Sequence, residues 1–373
     1  QRFKHMSQYF DAYRIDHVLG FFRIWEIPTS AVSGLLGQFY PAMPMSIDEI
    51  EDFGLPWRDN LYTRPYITDT VLEHVFRKTD IAEVRNKYLM ARGDGRYDLR
   101  PAYETGRLIA ALPPDTNQAI RKGLLKLCTN VLFLEDHRLR GKFHPRINAM
   151  NDDVIACLRE HDQATFARLH HYFFYERHND FWRDQAMKKL PVLVQSTDML
   201  PCAEDLGMVP QCVPEVLQAL GILSLEIQAM PKAFGVRFGN LTTNPYLSVA
   251  TCFTHDMPTL RQWWTEDAGR RQAYYNQMLQ KDGTAPAELS GWLAEEIISR
   301  HLFSPSMLCL LSWQDWMAID ERLRRPAASA ERINIPANAH HYWRYRMHLT
   351  LDRLLRQDEL NNRILSLIRR SER

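Results

Sequence analysis

Short apolar runs, each closed by a polar or charged cluster, mark both ends of the chain. Residues 12–15, 200–203, 248–253 and 307–311 are of this kind, and 223–227 is a fifth run between the second and the third. Runs this short and this apolar predict buried parallel strands, with chemistry gathered where each strand ends. From the second run to the fifth, strands alternate with helical spacing at 214–220, 259–279 and 315–323, a βαβ rhythm. Residues 347–368 place Leu351, Leu354, Leu355, Ile364, Leu365 and Ile368 at helical spacing and predict a closing amphipathic helix. Residues 3–10 predict a helix ahead of the first strand.

The interval from about 39 to 194 has a different pattern and is too long for one loop. Residues 71–89 and 119–134 have helical apolar periodicity, and 158–190 is rich in aromatic and charged residues without strand alternation. The expectation is an inserted, mainly helical subdomain, with loops at 92–98 and 112–117 where Pro, Gly and Asp collect. The fold class predicted is therefore α/β. A (β/α)8 barrel needs eight strand–helix units and about five strands are countable here, so the pattern predicts the C-terminal part of such a barrel, about strands 4–8. The expected division is 1–38 and 195–373 as barrel segments around an insertion at 39–194.

Composition narrows the partners. Forty-six Lys and Arg nearly balance 45 Asp and Glu, a net charge of +1 that gives no general attraction to nucleic acid or to an anionic membrane. No stretch of about 18 apolar residues offers a membrane span, and the first ten residues lack a signal-peptide core. Six scattered cysteines, with no C-x-x-C pair, predict a reducing, cytoplasmic compartment. Nine Trp and fifteen Tyr suit a carbohydrate ligand, because the apolar face of a sugar packs on aromatic rings.

Three strand-end clusters carry candidate chemistry: R-I-D-H at 14–17, A-E-D-L-G at 203–207 and T-H-D at 254–256. Cleavage of a glycosidic bond with retention needs a carboxylate nucleophile and a second carboxyl that first donates and then withdraws a proton. Asp16 has Arg14 two residues before it, which can hold it ionised through a charge-assisted hydrogen bond. Glu204 follows Leu200, Cys202 and Ala203, an apolar setting that favours the protonated form a general acid requires. Asp205 is its rival, and since adjacent strand residues face opposite ways, only one of the two can face the site. Asp256, next to His255, is placed to bind ring hydroxyls and steady a distorted sugar. Neither His17 nor His255 has the spacing of a metal cluster, so no metal and no cofactor is expected.

These clusters sit in longer motifs. D-A-Y-R-I-D-H-V-L-G-F-F-R-I-W-E-I-P (11–28), P-C-A-E-D-L-G-M-V-P (201–210), F-T-H-D-M-P-T-L-R-Q-W-W (253–264) and E-R-I-N-I-P with H-Y-W-R-Y-R (331–336 and 341–346) resemble, in order, the motifs of glycoside hydrolase family 77, the amylomaltases or disproportionating enzymes. The resemblance implies a retaining 4-α-glucanotransferase in which Asp16 is the nucleophile, Glu204 the acid/base and Asp256 the stabiliser of the transition state. It adds Arg14 and His255 as substrate contacts. Trp25, as a ring that could stack on a sugar, and Arg332 and Asn334, as donors near the acceptor, complete the candidates.

In the compact members of that family the first two motifs lie close together. Here a long insertion separates them, and with Y-T-R-P-Y-I (62–67) it resembles the branch containing the plant cytosolic enzymes and their bacterial relatives, which take maltose as donor. The expected partners are maltose, a maltodextrin or a glycogen- or starch-like glucan. A partial barrel also predicts exposed strand edges, so the missing barrel half or a second copy is expected to cover them. Two other readings use the same residues: an α-glucan hydrolase of the amylase type, with water as acceptor, and a non-catalytic glucan-binding fragment.

Overall fold

The structure, a computed structural model, describes every residue of the chain except 59 and 234. The chain clusters into two compact units, one made of residues 1–18, 190–209 and 213–373, the other of 19–189 with 210–212. The architecture is mixed α/β.

The first unit is built on five parallel strands: β1 (Ala12–Ile15), β2 (Leu200–Ala203), β3 (Ser224–Ile227), β4 (Ser248–Thr251) and β5 (Leu308–Cys309). β1 pairs with β2, Ala12 opposite Leu200 and Ile15 opposite Ala203. β3, β4 and β5 form a second parallel set. A bridge between Cys202 and Leu223 joins the two sets, with Ala203 donating to the Leu223 carbonyl at 2.7 Å and Leu223 donating to that of Pro201 at 2.9 Å. Order in the sheet thus follows order in sequence. All four residues of β4 are buried, as a strand covered on both faces requires.

Helices pack against these strands and hold most of the core. α1 (Cys212–Ala219) follows β2; α2 (Leu260–Glu266), α3 (Ala268–Gln277) and α4 (Gly291–Leu302) lie between β4 and β5; α5 (Trp313–Ala318) follows β5. Trp263 and Trp264 of α2 cluster with Leu293, Ile297 and Ile298 of α4 and Met317 of α5. The helix expected over 259–279 is broken at Asp267, whose extended backbone and carboxylate, accepting from the Arg270 amide, start α3 afresh. α5 begins earlier than expected because Ser312 and Asp315 form a capping box, and it stops at 318 because the Asp320 carboxylate takes the amides of Arg322 and Leu323. α4 was not foreseen. The closing helix is two pieces, Leu351–Leu355 and Asp358–Arg370; Leu351 and Leu355 are exposed, and Leu360 and Leu367 make the buried contacts.

The second unit holds helices Asp69–Val75, Lys78–Tyr88, Gln118–Thr129, Glu160–His171 and Asn179–Met187, joined by short antiparallel pairings that the sequence reading did not include. Ile24–Glu26 pairs with Gln38–Tyr40, Leu89–Ala91 with Tyr97–Leu99, and Lys142–Pro145 with both Met45–Ser46 and Phe133–Glu135. Residues 119–134 are therefore not all helix. Asn130 ends it, because its side chain donates to the Tyr66 carbonyl and accepts from the Val154 amide.

Each unit buries a histidine with one ring nitrogen on a backbone carbonyl: His178 on Phe173, His301 on Ile297. Burial pushes both imidazoles down to about 4. The unfolded chain then holds more protons than the folded one between about pH 6.5 and 4, so stability rises with pH across that window and is lost as pH falls through it. A denaturant titration at pH 7 and at pH 5 should show a lower midpoint at pH 5, and replacing His301 with Gln should reduce the difference. An equal midpoint at both values would contradict this.

Candidate active site

β1 and β2 are followed directly by two of the three acids the sequence singles out, and the third, Asp256, lies in the loop that follows β4. Asp16 lies one residue past β1 with its side chain 81% exposed, and Arg14 donates to its Oδ1 at 2.8 Å. His17 follows with φ of 49°, a left-handed conformation costing a non-glycine residue about 1–2 kcal/mol. That turn aims the His17 amide at the Glu204 Oε2, 2.9 Å away.

Glu204 is thereby tied to the end of β1 on several counts. Its amide donates to the Ile15 carbonyl at 2.9 Å, its carbonyl accepts from Val18 at 3.0 Å, and its Oε1 accepts from Leu206 at 3.1 Å. The apolar setting expected for it is not found: Glu204 is half-buried, and both carboxylate oxygens accept backbone N–H groups. The alternation between Glu204 and Asp205 is real. Asp205 is buried, bonded to the Leu225 amide and the Lys232 ammonium, and takes no part in the contacts around His17.

Asp256 is exposed, three residues beyond buried Phe253, and Asn334 donates to its Oδ1 at 2.6 Å. His255 Nε2 lies 3.4 Å from the other Asp256 oxygen, and the Trp343 ring packs on His255 with centroids 5.2 Å apart. The loop carrying Asn334 is anchored by Glu331, buried, which accepts from Arg261 and from Thr259 Oγ1. Arg332 braces the same loop, its Nε donating to the Asn334 carbonyl at 2.8 Å and its Nη1 3.5 Å from Glu266. Arg332 and Asn334 are thus brought to the Asp256 region, Asn334 by direct contact.

A cavity of about 350 Å³ opens between the strands of this unit. Tyr13, Cys202, Leu225, Val249 and Leu308 supply one wall position from each strand, and Arg14, Thr254 and His255 stand among its lining residues. Trp25 belongs to the other unit. There its indole N–H donates to the Gly34 carbonyl at 2.9 Å and its ring packs edge-on against Phe39, so its contacts are structural. Gly37 makes that possible, because a Cβ there would stand 2.3 Å from the indole nitrogen.

Sequence reasoning did not find the His17 amide, the Trp343 ring or Glu331. The first is a matter of backbone conformation; the other two lie in motifs it had quoted, E-R-I-N-I-P and H-Y-W-R-Y-R. Among the described residues, no group of three or more His, Cys, Asp or Glu could hold a metal ion, and no helix is long and apolar enough to cross a membrane.

Two acids at paired parallel strand ends, steadied by an arginine and an amide, with a third in the loop after β4, suit a carbohydrate-active site, and comparison with known proteins gives the family. The model of glycoside hydrolase family 77, described as 4-alpha-glucanotransferase, matches residues 1–351, and the chain belongs to that family. It is 36% identical over 381 residues to 4-alpha-glucanotransferase DPE2 of Oryza sativa subsp. japonica, a match covering 100% of this chain and 40% of that protein. To the 4-alpha-glucanotransferase of Chlamydia muridarum it is 28% identical over 187 residues, 49% of this chain and 35% of the relative. Among solved structures, an amylomaltase from Streptococcus agalactiae in complex with acarbose covers 51% of this chain and 35% of its own, with a TM-score of 0.37 and 16% identity. The chain thus spans well under half the length of these relatives.

Proposed function

We propose that the chain carries the catalytic acids of a retaining 4-α-glucanotransferase that moves glucosyl or maltodextrin units between α-1,4-glucans. The observation that carries this reading is that Asp16 and Glu204 directly follow the paired ends of β1 and β2, with the His17 amide on the Glu204 carboxylate. Asp16 attacks the anomeric carbon of the donor, Glu204 gives its proton to the departing glycosidic oxygen, and a covalent glycosyl-enzyme results. An acceptor hydroxyl then loses its proton to Glu204 and attacks the same carbon, which releases Asp16. Asp256, held by Asn334 and flanked by His255, stabilises the oxocarbenium-like charge, and Arg14 holds the Asp16 carboxylate by a hydrogen bond. Every atom and proton balances within donor, acceptor and the two carboxyls, so the cycle calls for no cofactor.

Maltose is the proposed donor and a maltodextrin or glycogen- or starch-like glucan the acceptor, on the motif resemblance of the long insertion, Y-T-R-P-Y-I (62–67) included. The fold reading that accompanies this is a partial (β/α)8 barrel made by β1–β5, supported by their parallel pairing in sequence order. The stretch between β1 and β2 is read as an inserted subdomain; residues 19–38 cluster with it, which favours an insertion starting ahead of 39. Open edges at β1 and β5 are proposed to be covered by further polypeptide or a second copy. Among the described residues no cysteine is in a disulfide, which fits a cytoplasmic setting.

The test is incubation of the full-length protein with maltose alone and with maltose plus glycogen, products resolved by chromatography. Transfer yields free glucose together with lengthened glucans. Glucose without lengthened products would make the protein a hydrolase, and no turnover would leave a glucan-binding role.

A further inference from the structure

We propose that Asp205 is a positioning residue for this transfer: held by Lys232 and by β3, it fixes the chain segment that carries Glu204. The inference rests on the reading of Glu204 as acid/base. Glu204 is tethered on one side only by its own atoms, because its amide, carbonyl and Oε2 all bond to residues 15–18 at the end of β1. The tether toward β3 comes from its neighbour. The ladder between β2 and β3 runs as far as Ala203, where the Ala203 amide meets the Leu223 carbonyl. Continued one step, a parallel ladder would take the Leu225 amide to the Ala203 carbonyl. Instead that amide donates to the Asp205 Oδ1 at 2.9 Å, so a side chain closes the sheet where the backbone turns away.

The other Asp205 oxygen accepts from Lys232 Nζ at 2.7 Å, and the same ammonium reaches Glu226 Oε1 at 2.8 Å, which also accepts from Ser224 Oγ at 2.8 Å. The result is a closed network of Asp205, Lys232, Glu226 and the β3 backbone. Asp205 is 2% exposed, and burial pushes its carboxyl up while Lys232 opposes that. With Glu226 and Lys232 it lines a cavity of about 310 Å³ different from the one lined by Arg14 and His255. It therefore acts through Glu204 and does not meet the sugar.

A buried carboxylate that accepts from an amide with one oxygen and from a cation with the other has no substitute that keeps both shape and charge. Asparagine keeps the shape and loses the charge that Lys232 needs, leaving the ammonium short of a partner. A displacement of Glu204 by about 1 Å is enough to cost roughly 100-fold in rate.

The experiment uses the full-length protein with maltose and glycogen, and measures kcat, KM for maltose and thermal midpoint for Asp205→Asn, Lys232→Met, Lys232→Arg and the double variant Asp205→Asn/Lys232→Met. Asp205→Asn should lower kcat by about 100-fold with KM within about threefold. Lys232→Met should lower kcat in the same way, Lys232→Arg should keep most of it, and the double variant should be no slower than Asp205→Asn alone because the two act as one unit. If Asp205→Asn does not fold, the Lys232→Met and Lys232→Arg pair makes the same comparison. An active wild type with unchanged kcat in folded Asp205→Asn or Lys232→Met, or a rise in KM alone, overturns the proposal by itself. A wild type without transfer overturns the reading of Glu204 and this proposal with it.

Discussion

Asparagine in place of Asp16 is expected to abolish glucan transfer, with kcat down roughly 10⁴-fold or more, because a neutral amide cannot form the glycosyl ester. Folding should be almost untouched. Asp16 lies in the open, its one ion pair is with partly exposed Arg14, and surface pairs of this kind contribute about 0–1 kcal/mol. The measurement is a time course of glucose release from maltose with glycogen as acceptor, beside a thermal melt. An Asp16→Asn protein that melts like the parent and still transfers would remove Asp16 from the nucleophile's role.

The second large effect is on stability. Trp264 is fully buried in the helical core beside Tyr274 and Tyr275, and its indole N–H donates to the Pro286 carbonyl at 2.8 Å. Trp264→Ala leaves a cavity and an unpaired carbonyl, and should cost about 3–5 kcal/mol. For a unit of this size that is a fall in thermal midpoint of roughly 6–20 °C. A midpoint within about 2 °C of the parent would mean that the core collapses to fill the space or that this helix does not pack as described.

The parallel strands were legible because each is a short run whose buried positions are apolar: Ile15 in β1, Pro201 and Ala203 in β2, Leu225 and Ile227 in β3. Asp16 and Glu204 were legible because each directly follows such a run. What escaped did so for different physical reasons. α4 packs Leu293, Ala294, Ile297, Ile298 and Leu302 inward at helical spacing, and that pattern was readable, though it follows no strand directly and so lay outside the βαβ rhythm. The break at Asp267 depends on whether an aspartate caps or continues a helix, which its neighbours in space decide. The strands of the second unit are two to four residues long, too short to show alternation.

At the site, residue types could be read and their bonds could not. Asn334 and Asp256 are 78 positions apart, and Lys232 and Asp205 are 27 apart; nothing local announces either contact. The pairing of Asp205 with Lys232 also settles which of two adjacent acids turns inward, a choice that strand alternation allows either way. Trp25 shows the reverse case. Its place in a quoted motif suggested a sugar platform, whereas Gly34, Gly37 and Phe39 give it local partners.

The pairing of β1 with β2 has a kinetic consequence. His17 and Glu204 meet across 187 positions of chain, so the segments that carry the two acids are joined through a very distant contact. Closing a loop of that length costs more entropy than closing a short one, by about 0.6 kcal/mol for each doubling, and contacts of such high order slow folding. A segment that has already collapsed into its own core, around Leu72, Val84, Ile109 and Leu124, leaves far less free chain to be closed. Assembly of the carboxylate pair is thus tied to the folding of a stretch that contributes neither acid.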